Sequence, residues 1–308
     1  FTENGISENG NPIMEANPGG APCNVLAMLN KQGYKTAFIG KVGNDIFGRQ
    51  LKAVVREAGI NTDGLVTDES VNTTLAFVHT LPGGDREFSF YRNPGADMML
   101  SESDIDYKLV QNSRIFHFGS LSMTGEICEA ATKKAVETAK GSGAIISFDP
   151  NLRENLWDSL DKAREKIAYG ISECDILKIS DNEIQWFTGE QDFDRAVEIL
   201  RGRYGNIKLM LLSLGKNGSR AYCGENSAFA PAVPANTIET TGAGDTFCGG
   251  ILAKVLEYGL RNYSAEELMG ILNYANSAAG IVTERRGALK VMPSPAEINE
   301  RMERITND

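Results

Sequence analysis

The run with the clearest chemical content is Glu239-Thr240-Thr241-Gly242-Ala243-Gly244-Asp245-Thr246-Phe247, followed by Gly249-Gly250 and a long apolar stretch. Gly242 and Gly244 let backbone amides converge where a helix begins. The free N–H groups and the dipole of a helix start attract a phosphoryl group. Asp245, in the first helical turn, can accept a proton from an attacking hydroxyl or orient it. The dipole is expected to keep that carboxylate ionised at neutral pH without a raised pKa. Taken alone, the run reads better as a glycine-rich loop with an ordinary acidic helix start. It is not a P-loop, since no GxxxxGK[ST] occurs, nor a dinucleotide fingerprint, since the third glycine falls too late.

A second run, Asn17-Pro18-Gly19-Gly20-Ala21-Pro22-Cys23-Asn24, leads into a helical stretch and then Gly40-Lys41-Val42-Gly43-Asn44-Asp45 with Gly48. Gly19 and Gly20 permit a ligand to approach the backbone closely, and Asn24 carries donors and acceptors suited to sugar hydroxyls. A turn followed by a helix cap explains the same residues as well.

Both runs need a scaffold. Short β-rich stretches at 36–42, 115–118, 144–149, 176–179 and 208–212 alternate with amphipathic segments, which predicts βαβ units and a mainly parallel sheet covered by helices. Helices are expected over 246–259 and 265–282. Residues 73–80 and 86–92 alternate in β fashion around Leu81-Pro82-Gly83-Gly84-Asp85, which reads as a hairpin turn. With 13–17 they form a small antiparallel sheet outside the main one, a candidate lid. A doubly wound domain ordinarily opens on a hydrophobic central strand, whereas this sequence opens on what reads as a polar, Gly- and Asn-rich loop. A first strand upstream of the given sequence is therefore expected, because its loss leaves two neighbouring edges unpaired.

The 308 residues are 42% hydrophobic and 23% charged, an ordinary globular balance. A net charge of −10 disfavours a nucleic-acid partner, whose phosphates call for clustered Lys and Arg. The cysteines number five, an odd count without a CxxC pair, which argues against a disulfide framework and for the reducing cytoplasm. No apolar run approaches the roughly 20 residues of a membrane helix. His79 and His117, the only histidines, sit in apolar strand contexts and read as packing residues.

In combination the two glycine runs resemble the two signature motifs of the PfkB carbohydrate kinases, within the ribokinase-like superfamily. The likeness continues through Phe148-Asp149-Pro150-Asn151-Leu152-Arg153, Ser180-Asp181-Asn182-Glu183, Leu214-Gly215-Lys216-Asn217-Gly218 and 273–280. Phe90-Tyr91-Arg92-Asn93-Pro94-Gly95-Ala96-Asp97 and Phe116-His117-Phe118-Gly119-Ser120 are most similar to fructokinases. The resemblance implies a three-layer α/β/α sandwich with a mainly parallel central sheet and a small β-sheet lid. The lid would span 1–18 and 64–97, and the core 19–63 and 98–308. It implies ATP-dependent phosphorylation of a sugar hydroxyl, fructose to fructose 6-phosphate, with Mg²⁺.

Carried over by position, Asp245 would be the general base and the amides of Gly242, Ala243 and Gly244 an anion hole, with Arg153 meeting phosphate oxygens. Gly19, Gly20, Asn24 and Arg92 are the sugar-side candidates. Lys178, Ser213, Gly215, Gly218 and Asn276 would serve the nucleotide, and Glu183 would organise Mg²⁺ through water. Glu239 stands where the family usually has Asp, so a K⁺ site at Glu239 and Thr241 is left open. The family's sugar-binding aspartate belongs to the first strand, which the sequence does not contain. Other acceptors of the same fold, 2-keto-3-deoxygluconate, another ketose or a nucleoside, remain alternatives. So does a non-catalytic sugar-binding regulator, against which the presence of Asp245 and Glu183 speaks. The lid offers an edge for a homodimer, and no membrane partner is expected.

Overall fold

The computed structural model describes residues 1–80 and 86–307; the expected turn at 81–85 and the side chain of His79 lie outside the described residues. The opening residues correct one expectation. Rather than a loop, β1 (Thr2–Ile6) is a strand, antiparallel to β2 (Pro12–Glu15). Its polar sequence gives no strand signal. Its neighbours supply the ladder, because β1 also runs parallel to β5 (Leu75–Thr80), which pairs antiparallel with β6 (Arg86–Tyr91). These four strands form the small sheet, in the order β2-β1-β5-β6. Between them in sequence come α1 (Ala21–Lys31), β3 (Gly40–Gly43), α2 (Ile46–Glu57) and β4 (Leu65–Asp68). Strand β4 pairs in parallel with β3 in a sheet of its own, and within the small sheet the chain returns at Leu75.

The main sheet has six strands: β7 (Ile115–Gly119), β8 (Ile145–Asp149), β9 (Ile176–Ser180), β10 (Leu209–Ser213), β11 (Ser219–Cys223) and β12 (Asn226–Ala230). The four from β7 to β10 are parallel and the last two antiparallel, in the order β12-β11-β10-β9-β8-β7. Leu209, Met210, Leu211 and Leu212 are all buried, the continuous apolar pattern of a strand covered on both faces. Ile146, Phe148, Met210 and Leu212 pack with α4 (Glu126–Gly141), α5 (Leu160–Glu173) and α7 (Phe193–Arg203). Ile176, Leu209 and Leu211 pack with α8 (Ala243–Tyr258) and α9 (Ala265–Thr283). The short α3 (Tyr107–Gln111), α6 (Asp181–Thr188) and the C-terminal α10 (Pro295–Asn307) complete the helices. The outcome is the expected sandwich with a separate small sheet.

Helix packing explains Gly249-Gly250. A Cβ on Gly249 would come within 2.7 Å of Cβ and Cγ of Met28 on α1, and one on Gly250 within 3.2 Å of Cα of Ala275 on α9. The bare backbone of α8 therefore lets both neighbours close in.

Strand β3 is paired only with β4, and β7 only with β8, among the described residues. Between β3 and β7 runs a cavity of about 1930 Å³, bounded by Phe38 to Val42 on one side and Ile115 to Gly119 on the other. Its wall includes Gly119 and Asp149 at the carboxyl ends of β7 and β8, and Thr2, Leu75, Ala76, Val78 and Phe90 of the small sheet. Among the described residues, no helix is long and apolar enough to cross a membrane.

Candidate active site

Helix α8 starts at Gly242, whose φ of 80° is left-handed; a Cβ there would lie 2.7 Å from Cβ of Ala288. The amide and hydroxyl of Thr246 both donate to the Gly242 carbonyl, at 2.8 and 2.7 Å, and close the first turn. Asp245 is thereby held against the first turn of α1. That helix begins after Gly20, at φ 132°, with Pro22 in a position where no amide is needed. Asn24, 3% exposed, donates Nδ2 to Oδ2 of Asp245 at 2.8 Å, while its own Oδ1 is buried without a partner. Two helix starts thus converge on one carboxylate.

The electrostatics differ from the expectation of an unraised Asp245. Burial pushes its pKa up, opposed by the Asn24 hydrogen bond and by the charges of Lys178 and Arg153. Desolvation outweighs the helix dipole because the carboxylate lies inside the protein rather than at its surface.

Lys178 reaches Asp149 with Nζ at 3.2 Å from Oδ1 and 3.0 Å from Oδ2, and both residues are buried. Burial works against the Lys178 charge, but Asp149 and Glu183 more than offset it and hold the ammonium protonated. Burial raises the Asp149 carboxyl, with Lys178 opposing. The Lys178 ammonium lies 3.4 Å from where a Cβ on Gly244 would sit, so the absence of a side chain there lets the cation approach the helix start.

The cavity wall brings together Gly19, Gly20, Asn24, Arg92, Arg153, Lys178, Glu239, Thr241, Gly242, Gly244 and Asp245. Ala243 is not on that wall, and its amide donates to the Thr240 carbonyl at 3.2 Å. Arg92 is engaged by the protein: Nε and Nη2 reach Asp97 at 2.7 Å, Nη1 donates to Thr124 at 2.8 Å, and Nη2 to the Leu121 carbonyl at 3.0 Å. It pins the base of the lid to the core. Glu239 accepts the Gly287 amide at 2.9 Å and so joins the loop before α8 to the turn after α9.

The remaining candidates lie off that wall. Oε1 of Glu183 accepts the Leu152 amide at 2.7 Å, and Oε2 accepts the amide and hydroxyl of Ser180 at 2.9 and 2.8 Å. Ser213 ends β10, next to Ser180 on β9. Gly215 has φ 54°, and Gly218 has φ 102° with room for no Cβ, since one would fall 2.1 Å from the Ala230 carbonyl oxygen. Asn276 is a buried tie: it accepts from Ser219 at 2.9 Å and donates to the Ala230 and Pro231 carbonyls at 3.2 and 3.0 Å.

Asp149 is the functional candidate that the site reading from sequence passed over. Its signal was the motif around it, where Asn151 is the one non-glycine residue at positive φ, 48°, among the described residues. No group of three or more His, Cys, Asp or Glu side chains stands close enough to cage a metal among the described residues.

The comparisons agree with this geometry. The chain matches the pfkB family carbohydrate kinase domain over residues 7–295. It is 37% identical over 296 residues to Probable fructokinase-2 of Arabidopsis thaliana, covering 96% of this chain and 90% of that protein. Its fold is similar to the crystal structure of fructokinase with bound ATP from Xylella fastidiosa, with TM-score 0.89, 27% identity and coverage of 99% and 95% of the two chains. It is also similar to fructokinase from Vibrio cholerae in its fructose, ADP and calcium ion bound form, with TM-score 0.87, 26% identity and coverage of 98% and 97%. A family model matched across most of the chain and a relative 37% identical over 96% of it show that the chain belongs to the pfkB family of carbohydrate kinases.

Proposed function

We propose that this carbohydrate kinase transfers the γ-phosphoryl group of ATP to O6 of fructose, with Asp245 as general base. The observation that carries the reading is the placement of Asp245: on the cavity wall, in the first turn of α8, with Asn24 holding one carboxylate oxygen. The free oxygen accepts the proton of an incoming hydroxyl, and the raised pKa brings the base closer to the pH at which it works. Fructose is favoured because the Arabidopsis relative is named a fructokinase and the Vibrio neighbour is a fructokinase holding fructose and ADP.

The amides of Gly242 and Gly244, at the positive end of α8, receive the migrating phosphoryl group, while Ala243 supplies the turn through Thr240. Lys178 and Arg153 add positive charge on the same wall. Gly19, Gly20 and Asn24 face the sugar, and the unpartnered Oδ1 of Asn24 accepts one of its hydroxyls. Arg92 acts on the sugar indirectly, by fixing the lid. Ser213, Gly215 and Gly218 form the nucleotide loop at the carboxyl end of the sheet, and Asn276 braces that loop from α9.

Mg²⁺ would neutralise the phosphate oxygens. It keeps several of its waters and needs few protein ligands, which suits a site where Glu183 is the family carboxylate and no acidic cage exists among the described residues. Glu239 and Thr241 would hold a K⁺ at the back of the anion loop. The five buried free cysteines suit the cytoplasm. The outer edges of β2 and β6, with Ile6, Ile13 and Tyr91 exposed on the small sheet, would seat a second copy.

The test is a coupled ADP-release screen of ketoses, aldoses, 2-keto-3-deoxy acids and nucleosides. Fructose is expected to give the highest kcat/KM. A keto-acid or nucleoside outrunning it would reassign the acceptor, and the absence of turnover with every acceptor would favour a sugar-binding regulator.

A further inference from the structure

We propose that Arg286 is a positioning residue that joins the small sheet to the phosphoryl site, so that closing the sheet over the sugar firms the loop that receives the phosphoryl group. The proposal rests on the kinase reading above and adds to it a coupling between the two substrates.

The joint is the turn from Arg285 to Ala288, which follows α9. On one side it meets the small sheet. Nη1 of Arg286 donates to Oδ1 of Asn4, in the middle of β1, at 2.9 Å, across 282 positions of chain. Asn17, just beyond β2, donates Nδ2 to Oγ1 of Thr2 on β1 at 2.6 Å, and its Oδ1 lies 3.6 Å from where a Cβ on Gly287 would sit. Two residues of the same strand thus reach the same turn, one directly and one through Asn17.

On its other side the turn meets the loop that leads into α8. The Gly287 amide donates to Oε2 of Glu239 at 2.9 Å, and the buried side chain of Ala288 fills the space that a Cβ on Gly242 would need. Gly287, at φ 88°, holds its left-handed conformation there without strain.

The turn is braced well enough to carry a displacement. Arg285 donates to the Val291 carbonyl at 2.9 Å and pairs with Glu297 in the first turn of α10. The amides of Ile238 and Glu239 both donate to the Thr283 carbonyl at the end of α9, at 2.8 and 3.0 Å. Loop, turn and helix end therefore move as one piece.

Thr2, Asn17, Gly19 and Gly20 line the same cavity as Gly242, Gly244 and Asp245. A sugar in that cavity favours the closed sheet, in which Asn4 reaches Arg286. A sheet that swings away takes Asn4 with it and leaves the turn held from α9 and α10 alone. The charge-assisted bond makes the closed sheet and the firm loop favour each other. By linkage the effect is reciprocal: sugar tightens ATP and ATP tightens sugar by one factor. ATP without sugar then meets a looser loop, which disfavours transfer to water.

The experiment measures that factor. Calorimetry follows fructose, or whichever acceptor leads the screen above, and AMP-PNP with Mg²⁺, each alone and in the presence of the other. The proteins are the wild type, Arg286→Ala, Asn4→Ala, the double variant and Arg286→Lys. In the wild type each ligand should tighten the other by about fivefold or more. Each alanine variant should lower the factor by about threefold or more, the worth of one exposed charge-assisted bond, with Tm little changed. The double variant should be no worse than either single one, and Arg286→Lys should restore part of the factor. A wild-type factor of one, an unaltered factor in Arg286→Ala, or losses that add in the double variant overturn the proposal. So does a loss confined to Arg286→Ala, which would mean that the guanidinium touches the nucleotide itself. Turnover by the wild type upholds the kinase reading whatever the variants do. A readout without ligand serves even a protein that phosphorylates no sugar: exchange of the Ala243 and Thr246 amides, bonded to the Thr240 and Gly242 carbonyls, should quicken in Asn4→Ala. Unchanged exchange there overturns the proposal by itself.

Discussion

Nδ2 of Asn24 donates to Oδ2 of Asp245 across 2.8 Å, although 221 positions separate them in the chain. The bond ties the first turn of α1 to the first turn of α8. One carboxylate oxygen is held by a side chain from another helix, so a single contact orients the carboxylate and offsets part of the rise that burial imposes on its pKa.

Replacing Asp245 by Asn keeps the shape and removes the proton acceptor. Turnover is expected to fall by roughly 10²–10⁴ while the affinity for ATP changes little. Steady-state kinetics with calorimetric ATP binding check this. Lost ATP binding with unchanged kcat would assign Asp245 to the nucleotide instead.

The pH dependence follows from burial. As the proposed base Asp245 would work ionised, and desolvation raises its pKa, so kcat/KM should decline on acidification through a limb above the ordinary carboxylate value of about 4. Asn24→Ala removes the hydrogen bond that lowers this pKa and should move the limb to higher pH. Profiles of both proteins decide it; a limb unmoved by the substitution would mean that another group sets it.

Gly249→Ala tests the packing that brings the two helix starts together. The new Cβ would lie 2.7 Å from Met28 and 3.1 Å from the Val25 carbonyl, so α1 has to shift. A loss of about 1–3 kcal/mol in stability is expected, together with reduced kcat as Asn24 leaves Asp245. Chemical denaturation and kinetics check it, and unchanged stability would refute the close approach.

Arg92→Lys separates lid positioning from chemistry. A lysine cannot reproduce the fork that binds Asp97, Thr124 and the Leu121 carbonyl together. The KM for sugar should rise by about tenfold, the worth of one charge-assisted hydrogen bond, with the KM for ATP unchanged. A fall in kcat at constant sugar KM would instead place Arg92 at the reacting centre.

Much of this was legible before any coordinates. Gly242-Ala243-Gly244-Asp245 declares a helix start with an acid in its first turn, because glycine takes the left-handed φ found at Gly242 without strain. The continuous apolar runs of β8, β9 and β10 declare buried parallel strands, because both faces are covered. Other features carry no local signal. Thr2–Ile6 is polar, and becomes a strand only because β2 and β5 present edges to it. Arg92 is an exposed-looking cation in sequence, and its engagement rests on Thr124 and Leu121, about thirty positions away.

By itself, then, the sequence determined the buried strands and their covering helices, the layered class and the likeness to a family, since these rest on side-chain periodicity and on the spacing of a few glycines. Tertiary structure alone decided the raised pKa of Asp245, the pairing of Lys178 with Asp149 and the ladder that makes Thr2–Ile6 a strand. Those depend on desolvation and on contacts between residues far apart in the chain, and no short stretch of sequence encodes how much water a folded neighbour will displace.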